Sequence, residues 1–154
     1  MIETNTLMAS VKAQISARYP QNPVYQDFIP KDFQRPCFTL ECQKVERTDL
    51  NIGLVRWTVT LLVTCFTAVN EYGDSSRAEL IDRQDGILAL FSSGPLHVGN
   101  RSLTAQAKQG AGDPSAAEVK VVFSWVDARP EYRDPESGDT PRMEQIQLNV
   151  NGKE

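Results

Sequence analysis

The side chains able to do chemistry in this 154-residue chain are few and scattered. His97 is the only histidine, and Pro95-Leu96-His97-Val98-Gly99 sets no acid or nucleophile beside it. A working site needs several converging groups, so His97 reads as an ordinary loop residue. Cys37, Cys42 and Cys65 are an odd-numbered set in strand-like sequence, which fits reduced, mostly buried thiols better than a disulfide framework. The odd spacing of Cys37 and Cys42 puts them on opposite faces of an extended strand, and it lacks the short gap of zinc-binding pairs. Gly110-Ala111-Gly112-Asp113 faintly resembles a phosphate-cradling loop. Alternating sequence follows it rather than a helix with a Gly-Lys-Ser/Thr start, so it reads as a hairpin tip. Asp74, Asp82 and Asp85 do not meet at helical spacing, and Arg77, Glu79, Asp82, Arg83 and Asp85 read as the solvated face of a helix. No Ser-His-Asp or Cys-His arrangement is supported by the spacing. The sequence predicts no catalytic residue, no metal site and no cofactor.

Composition points the same way. The length suits one domain spanning 1–154, and 40% hydrophobic residues are enough for a core. The net charge of −4 argues against a partner held by phosphate neutralisation, so no sequence-specific nucleic-acid binding is expected. Met1–Asn5 lacks the basic and apolar regions of a signal peptide, and no apolar run approaches the roughly 18 residues of a membrane span. An intracellular soluble domain with no membrane contact is the expectation.

The elements follow from periodicity. Asn5 or Thr6 would cap a helix to about Arg18, with Leu7, Val11 and Ile15 in one stripe and Met8 beside it. Val24–Phe28, between Pro23 and Pro30, reads as a short edge strand. From Cys37 to Arg47, Phe38, Leu40 and Cys42 face one way and Thr39, Glu41 and Gln43 the other. Val55, Trp57, Val59, Leu61, Val63 and Cys65 then form an unbroken odd-numbered apolar face. A strand this long predicts a bend, a bulge or an extension beyond the sheet. A second helix should run from about Ser76 to Phe91 and bury Leu80, Ile81, Ile87, Leu88 and Phe91, with Gly86 allowing close packing. Strands at Leu103–Lys108, Glu118–Val126 and Gln145–Val150 complete the chain, the first two joined by a polar loop Gln109–Ser115. The fold class is α+β: a single, mostly antiparallel sheet with two helices packed on one face.

This order of elements resembles the tail terminator proteins of long-tailed phages and prophages. The resemblance rests on the amphipathic first helix, the strand Pro36-Cys37-Phe38-Thr39-Leu40 and the aromatic midpoint Arg56-Trp57-Thr58-Val59. It rests further on the helix Ala78–Phe91, the aliphatic and aromatic strand Val119–Val126 and the tail Met143–Leu148. It covers most of the chain and implies a structural virion protein without an active site. Such a protein forms a homo-oligomeric ring, usually a hexamer, on the last ring of the tail tube. It stops polymerisation and offers its other face to a neck or head-completion protein, so its place is the head-proximal end of the virion tail, after assembly in the host cytoplasm. Another head–tail joining or tail-completion protein, and a small monomeric protein-binding adaptor, remain open as alternatives.

The departures from the family pattern are the loop Gln109–Ser115 and the charged stretch Ala128–Arg142. In the latter, Arg129, Arg133 and Arg142 interleave with Glu131, Asp134, Glu136 and Asp139. Its length and mixed charge predict an exposed loop at 128–142 that serves as the subunit or partner interface.

Overall fold

A computed structural model describes residues 2–130. The expected strand Gln145–Val150 lies outside them. Helix α1 (Thr4–Arg18) buries Leu7, Met8, Val11 and Ile15. It starts two or three residues before the expected cap: Glu3 is the N-cap, without a side-chain cap bond, and its carbonyl accepts from the Leu7 amide at 3.0 Å. Ile2 and Leu7 hold the N′ and N4 positions of a hydrophobic staple, and both are buried in the core. Burial of that apolar pair sets the entry of the chain, which an Asn or Thr cap further along would have left in solvent.

Strands β1 (Val24–Gln26), β2 (Cys37–Asp49) and β3 (Leu54–Phe66) follow, then helix α2 (Arg77–Ser92). A small hairpin, β4 (Leu96–Val98) with β5 (Arg101–Leu103), leads into β6 (Ala105–Asp113) and β7 (Ala116–Ala128). The main sheet has the order β1-β2-β3-β7-β6, antiparallel except for the parallel pair β1–β2, and β4–β5 forms a separate two-stranded ladder. The α+β class is as expected. The extra hairpin corrects the reading of His97 as a loop residue. Leu96 and Val98 are buried on either side of it, an alternation too short to stand out in sequence.

The core lies on the helix side of the sheet. Phe38 and Leu40 of β2, Val59, Leu61, Val63 and Cys65 of β3, and Val119, Val121, Phe123 and Trp125 of β7 meet the apolar faces of α1 and α2. Trp57 departs from expectation. It packs against the margin of this cluster, only half buried, with the Arg47 guanidinium 5.9 Å from its ring centre, while Val55 beyond it on the same face is fully buried. The irregularity expected in the long strand β3 falls instead in its partner β2, as a bulge between Cys42 and Lys44, while β3 pairs with β7 without a break.

Helix α2 buries Leu80, Gln84, Ile87 and Phe91. Ile81 is instead 43% exposed and Leu88 half buried. Gln84 takes the buried position because its amide donates to the Glu118 carbonyl at 2.8 Å. Glu118 lies in β7 opposite the irregularity between Gln109 and Gly112 of β6. The Gly110–Asp113 stretch is therefore strand with a bulge, and the turn is confined to Pro114-Ser115, which corrects the loop expected over Gln109–Ser115. The glycines fit that geometry: a Cβ on Gly110 would sit 3.0 Å from Glu118 Cβ, and one on Gly112 3.2 Å from the Ala116 carbonyl.

Leu61 is fully buried at the centre of the sheet, so Leu61→Ala should cost about 2–5 kcal/mol in denaturant titration. A loss under about half a kilocalorie would contradict the face assignment. Gly86 carries a second expectation, because a Cβ there would lie 2.0 Å from the Tyr19 hydroxyl. Gly86→Ala gains about 1 kcal/mol of helix propensity but displaces Tyr19 from its 4.9 Å ring contact with Phe38. A net destabilisation of about 1–3 kcal/mol is expected from overpacking, and thermal melting should show a lowered Tm.

Candidate interaction surface

The far half of the β2–β3 hairpin leaves the helix-covered region. From Lys44 to Asp49 every β2 residue is exposed. Five of the exposed large apolar side chains gather around this arm: Val45 (43%), Leu50, Ile52 (78%), Leu54 and Val126. The turn that carries three of them is well ordered by hydrogen bonds. Asn51 Oδ1 accepts from the amides of Gly53 at 2.8 Å and Leu54 at 2.9 Å, and the Leu50 amide donates to the Leu54 carbonyl at 3.0 Å. Asn suits this role because its side chain imitates a backbone acceptor in a tight turn.

The end of β7 secures the same turn. The Arg129 amide donates to the Gly53 carbonyl at 2.8 Å. Its guanidinium bonds the Asn51 carbonyl at 3.1 Å and lies 3.0 Å from the Asp49 carboxylate. Near the tip of the arm, opposite Val55 and Arg56 of β3, Arg101 pairs with Asp127 and also bonds the Val126 carbonyl at 3.0 Å. Asp127 in turn accepts from the Trp125 indole at 2.9 Å. The β4–β5 hairpin thus braces the distal sheet.

Of the seven charged residues expected to form an interface, the structure places Arg129, half buried against the hairpin tip. Glu131, Arg133, Asp134, Glu136, Asp139 and Arg142 lie outside the described residues. The apolar tip was missed in the sequence because Leu50, Ile52 and Leu54 sit in a stretch whose Asn and Gly mark it as a polar turn.

The candidate chemistry stays dispersed. Among the described residues no three His, Cys, Asp or Glu side chains are arranged to hold a metal ion. His97 is exposed, with its Nδ1 2.9 Å from the Ser102 hydroxyl. A cleft of about 360 Å³ lies between α2 and the end of β3, lined by Pro36, Thr67, Ala68, Glu79, Asp82 and Arg83. Arg83 there stacks over the Tyr19 ring at 4.7 Å. Among the described residues no helix is long and apolar enough to cross a membrane.

Residues 6–112 match the family described as phage tail terminator protein. The chain belongs to the phage tail terminator family. That match runs from α1 into β6 and takes in the whole β2–β3 hairpin. The family is structural, so this terminator is a tail-assembly component of the virion. No curated protein matches the sequence.

The cysteines of this terminator follow its sheet. Burial pushes the Cys65 thiol up to about 12, and raises Cys37 against the smaller opposing influence of Arg35. Cys42 is also raised by burial, but it is only half covered. A thiol reagent at neutral pH should therefore label Cys42 first and reach Cys37 and Cys65 only on unfolding. Cys65 stays protonated in the fold while an unfolded thiol ionises near 8.5–9, so its contribution to stability is intact below that range and declines as pH rises through it toward about 12. Rapid native labelling of Cys65 would contradict its placement.

Proposed function

We propose that this terminator closes into a ring, most simply of six subunits, which seats on the end of the tail tube, ends its polymerisation and helps join tail to head. The observation that carries this reading is the family match across the helix-backed sheet and its projecting hairpin. A ring needs a heterologous interface that closes by rotation. A braced arm with an apolar tip is suited to such a contact, because desolvation of Ile52 and its neighbours contributes affinity at little ordering cost. The net charge of −4 suits a bore through which DNA slides without being held. The proposed partners are other copies of the chain, the tail tube protein and a neck or head-completion protein, with the work done by shape rather than by catalysis.

The charged stretch is assigned a part in the same contacts. Arg129 starts it at the hairpin tip, and Glu131, Arg133, Asp134, Glu136, Asp139 and Arg142 supply both signs of charge, which sets register more than affinity.

Electron microscopy of the purified protein with tail tubes tests the reading: rings should cap one end and hold tubes at normal length. Deleting Glu131–Thr140 should leave the domain folded but weaken ring formation or capping. Normal capping by the deleted protein would reduce this stretch to a connection. A strictly monomeric native mass, with no tube binding, would favour the adaptor reading instead.

A further inference from the structure

A recess of about 270 Å³ opens where the end of α1 meets the middle of α2. Arg18, Tyr19, Pro20, Gln21, Asn22 and Arg83 line it. Two of these side chains are cations and two are amides, and among the described residues none is an acid. Tyr19 is held in place between the two layers. Its ring lies 4.9 Å from the Phe38 ring, and its hydroxyl fills the space that a Cβ on Gly86 would need.

Both guanidiniums rest on that one ring. Arg18 Cζ is 5.0 Å and Arg83 Cζ 4.7 Å from the Tyr19 centroid, and Arg83 Cζ is also 6.0 Å from the Phe38 centroid. Stacking occupies the flat face of a guanidinium and leaves the N–H donors at its edge for another group. Neither arginine has a carboxylate partner among the described residues. Two cations on one ring repel each other, and an anion beside both relieves the repulsion.

The placing of Arg83 is the telling detail. Glu79 precedes it by four residues on α2, the order and spacing at which an acid and a base on a helix pair best. That pair is not made. Arg83 lies on the aromatic ring instead, and Glu79 and Asp82 border the neighbouring cleft. The dipole of α1 accounts for a cation such as Arg18 in its last turn, but not for Arg83 in the middle of α2.

We infer that this recess takes the carboxylate of an acidic side chain from another tail protein, held by the edges of Arg18 and Arg83, with Gln21 and Asn22 as further donors. The planar fork of arginine matches the two oxygens of a carboxylate. The surroundings favour a single carboxylate over a nucleic-acid backbone. Glu79 and Asp82, just beyond Arg83, repel the flanking phosphates of a polyanion, and so does the net charge of −4. This goes beyond the capping reading, because it requires a protein partner and not a closed ring.

A titration of the native protein tests it. The probe is an acetylated, amidated glycine peptide carrying one glutamate, and its control is the same peptide with glutamine. The arginine Nε–Hε signals of a ¹H–¹⁵N spectrum at low salt give the readout. The glutamate peptide should shift the Arg18 and Arg83 signals saturably, and the glutamine peptide should not. Arg83→Gln and Arg18→Gln should each weaken binding by roughly tenfold, the loss of one charge-assisted contact. Neither arginine holds an ion pair in the fold, so the thermal melts of both variants should stay near that of wild type. Glu79→Gln should bind at least as tightly as wild type, since it removes a repelling charge. No saturable shift, equal shifts from both peptides, or undiminished binding by both arginine variants overturns the assignment. A DNA duplex that shifts the same signals at lower concentration than the peptide also overturns it, in favour of nucleic acid. The titration needs no ring, so its failure is distinguishable from a failure to cap tubes.

Discussion

The constraint on which this protein depends is the burial of one face of β3 along most of its length. Val59, Leu61, Val63 and Cys65 are each at most 1% exposed, and β3 is paired on both sides, with β2 and with β7, from end to end. A one-residue slip on either side would turn this apolar set toward solvent and bring threonines inward. Register in the three long strands is thus fixed by a single alternating sequence. The helices take their places from it: α1 and α2 have only narrow apolar stripes, and those stripes have no other surface to cover.

The parts of the fold governed by a long period were legible in the sequence. The face of β3, the strand β7 and the extents of both helices follow from alternation or helical spacing over ten residues or more. What escaped was decided by a single distant partner. Gln84 reads as a surface residue until the Glu118 carbonyl is found opposite it. Ile81 reads as core until the angular width of the buried stripe on α2 is known. The strand through Gly110 and Gly112 reads as a loop because glycine marks turns far more often than bulges.

The exposed apolar tip of the β2–β3 hairpin was not legible in the sequence. Mixed charge drew notice to the stretch beginning at Ala128, and the structure ties its first arginine to the β2–β3 turn. The apolar tip beside it carried no signal, since three apolar residues among Asn, Gly and Asp lack a periodicity to recognise. Sequence patterns report what a chain buries within itself. Surfaces awaiting another protein are patterned by that partner, and a single chain shows them only as unexplained exposure.

The contacts of Arg129 have a mechanical meaning. Its amide and guanidinium grip Gly53, Asn51 and Asp49, so the strand that ends at Ala128 and the loop that begins the second long strand are joined at one point. Arg129 thereby clamps the end of β7 to that turn, like a cable fixed at a cleat. A pull or push on Arg129 itself is shared at once with the hairpin tip. A displacement of the turn or of the end of β7 is in this way passed to the other at a single outermost point, while the packed layer beneath stays undisturbed.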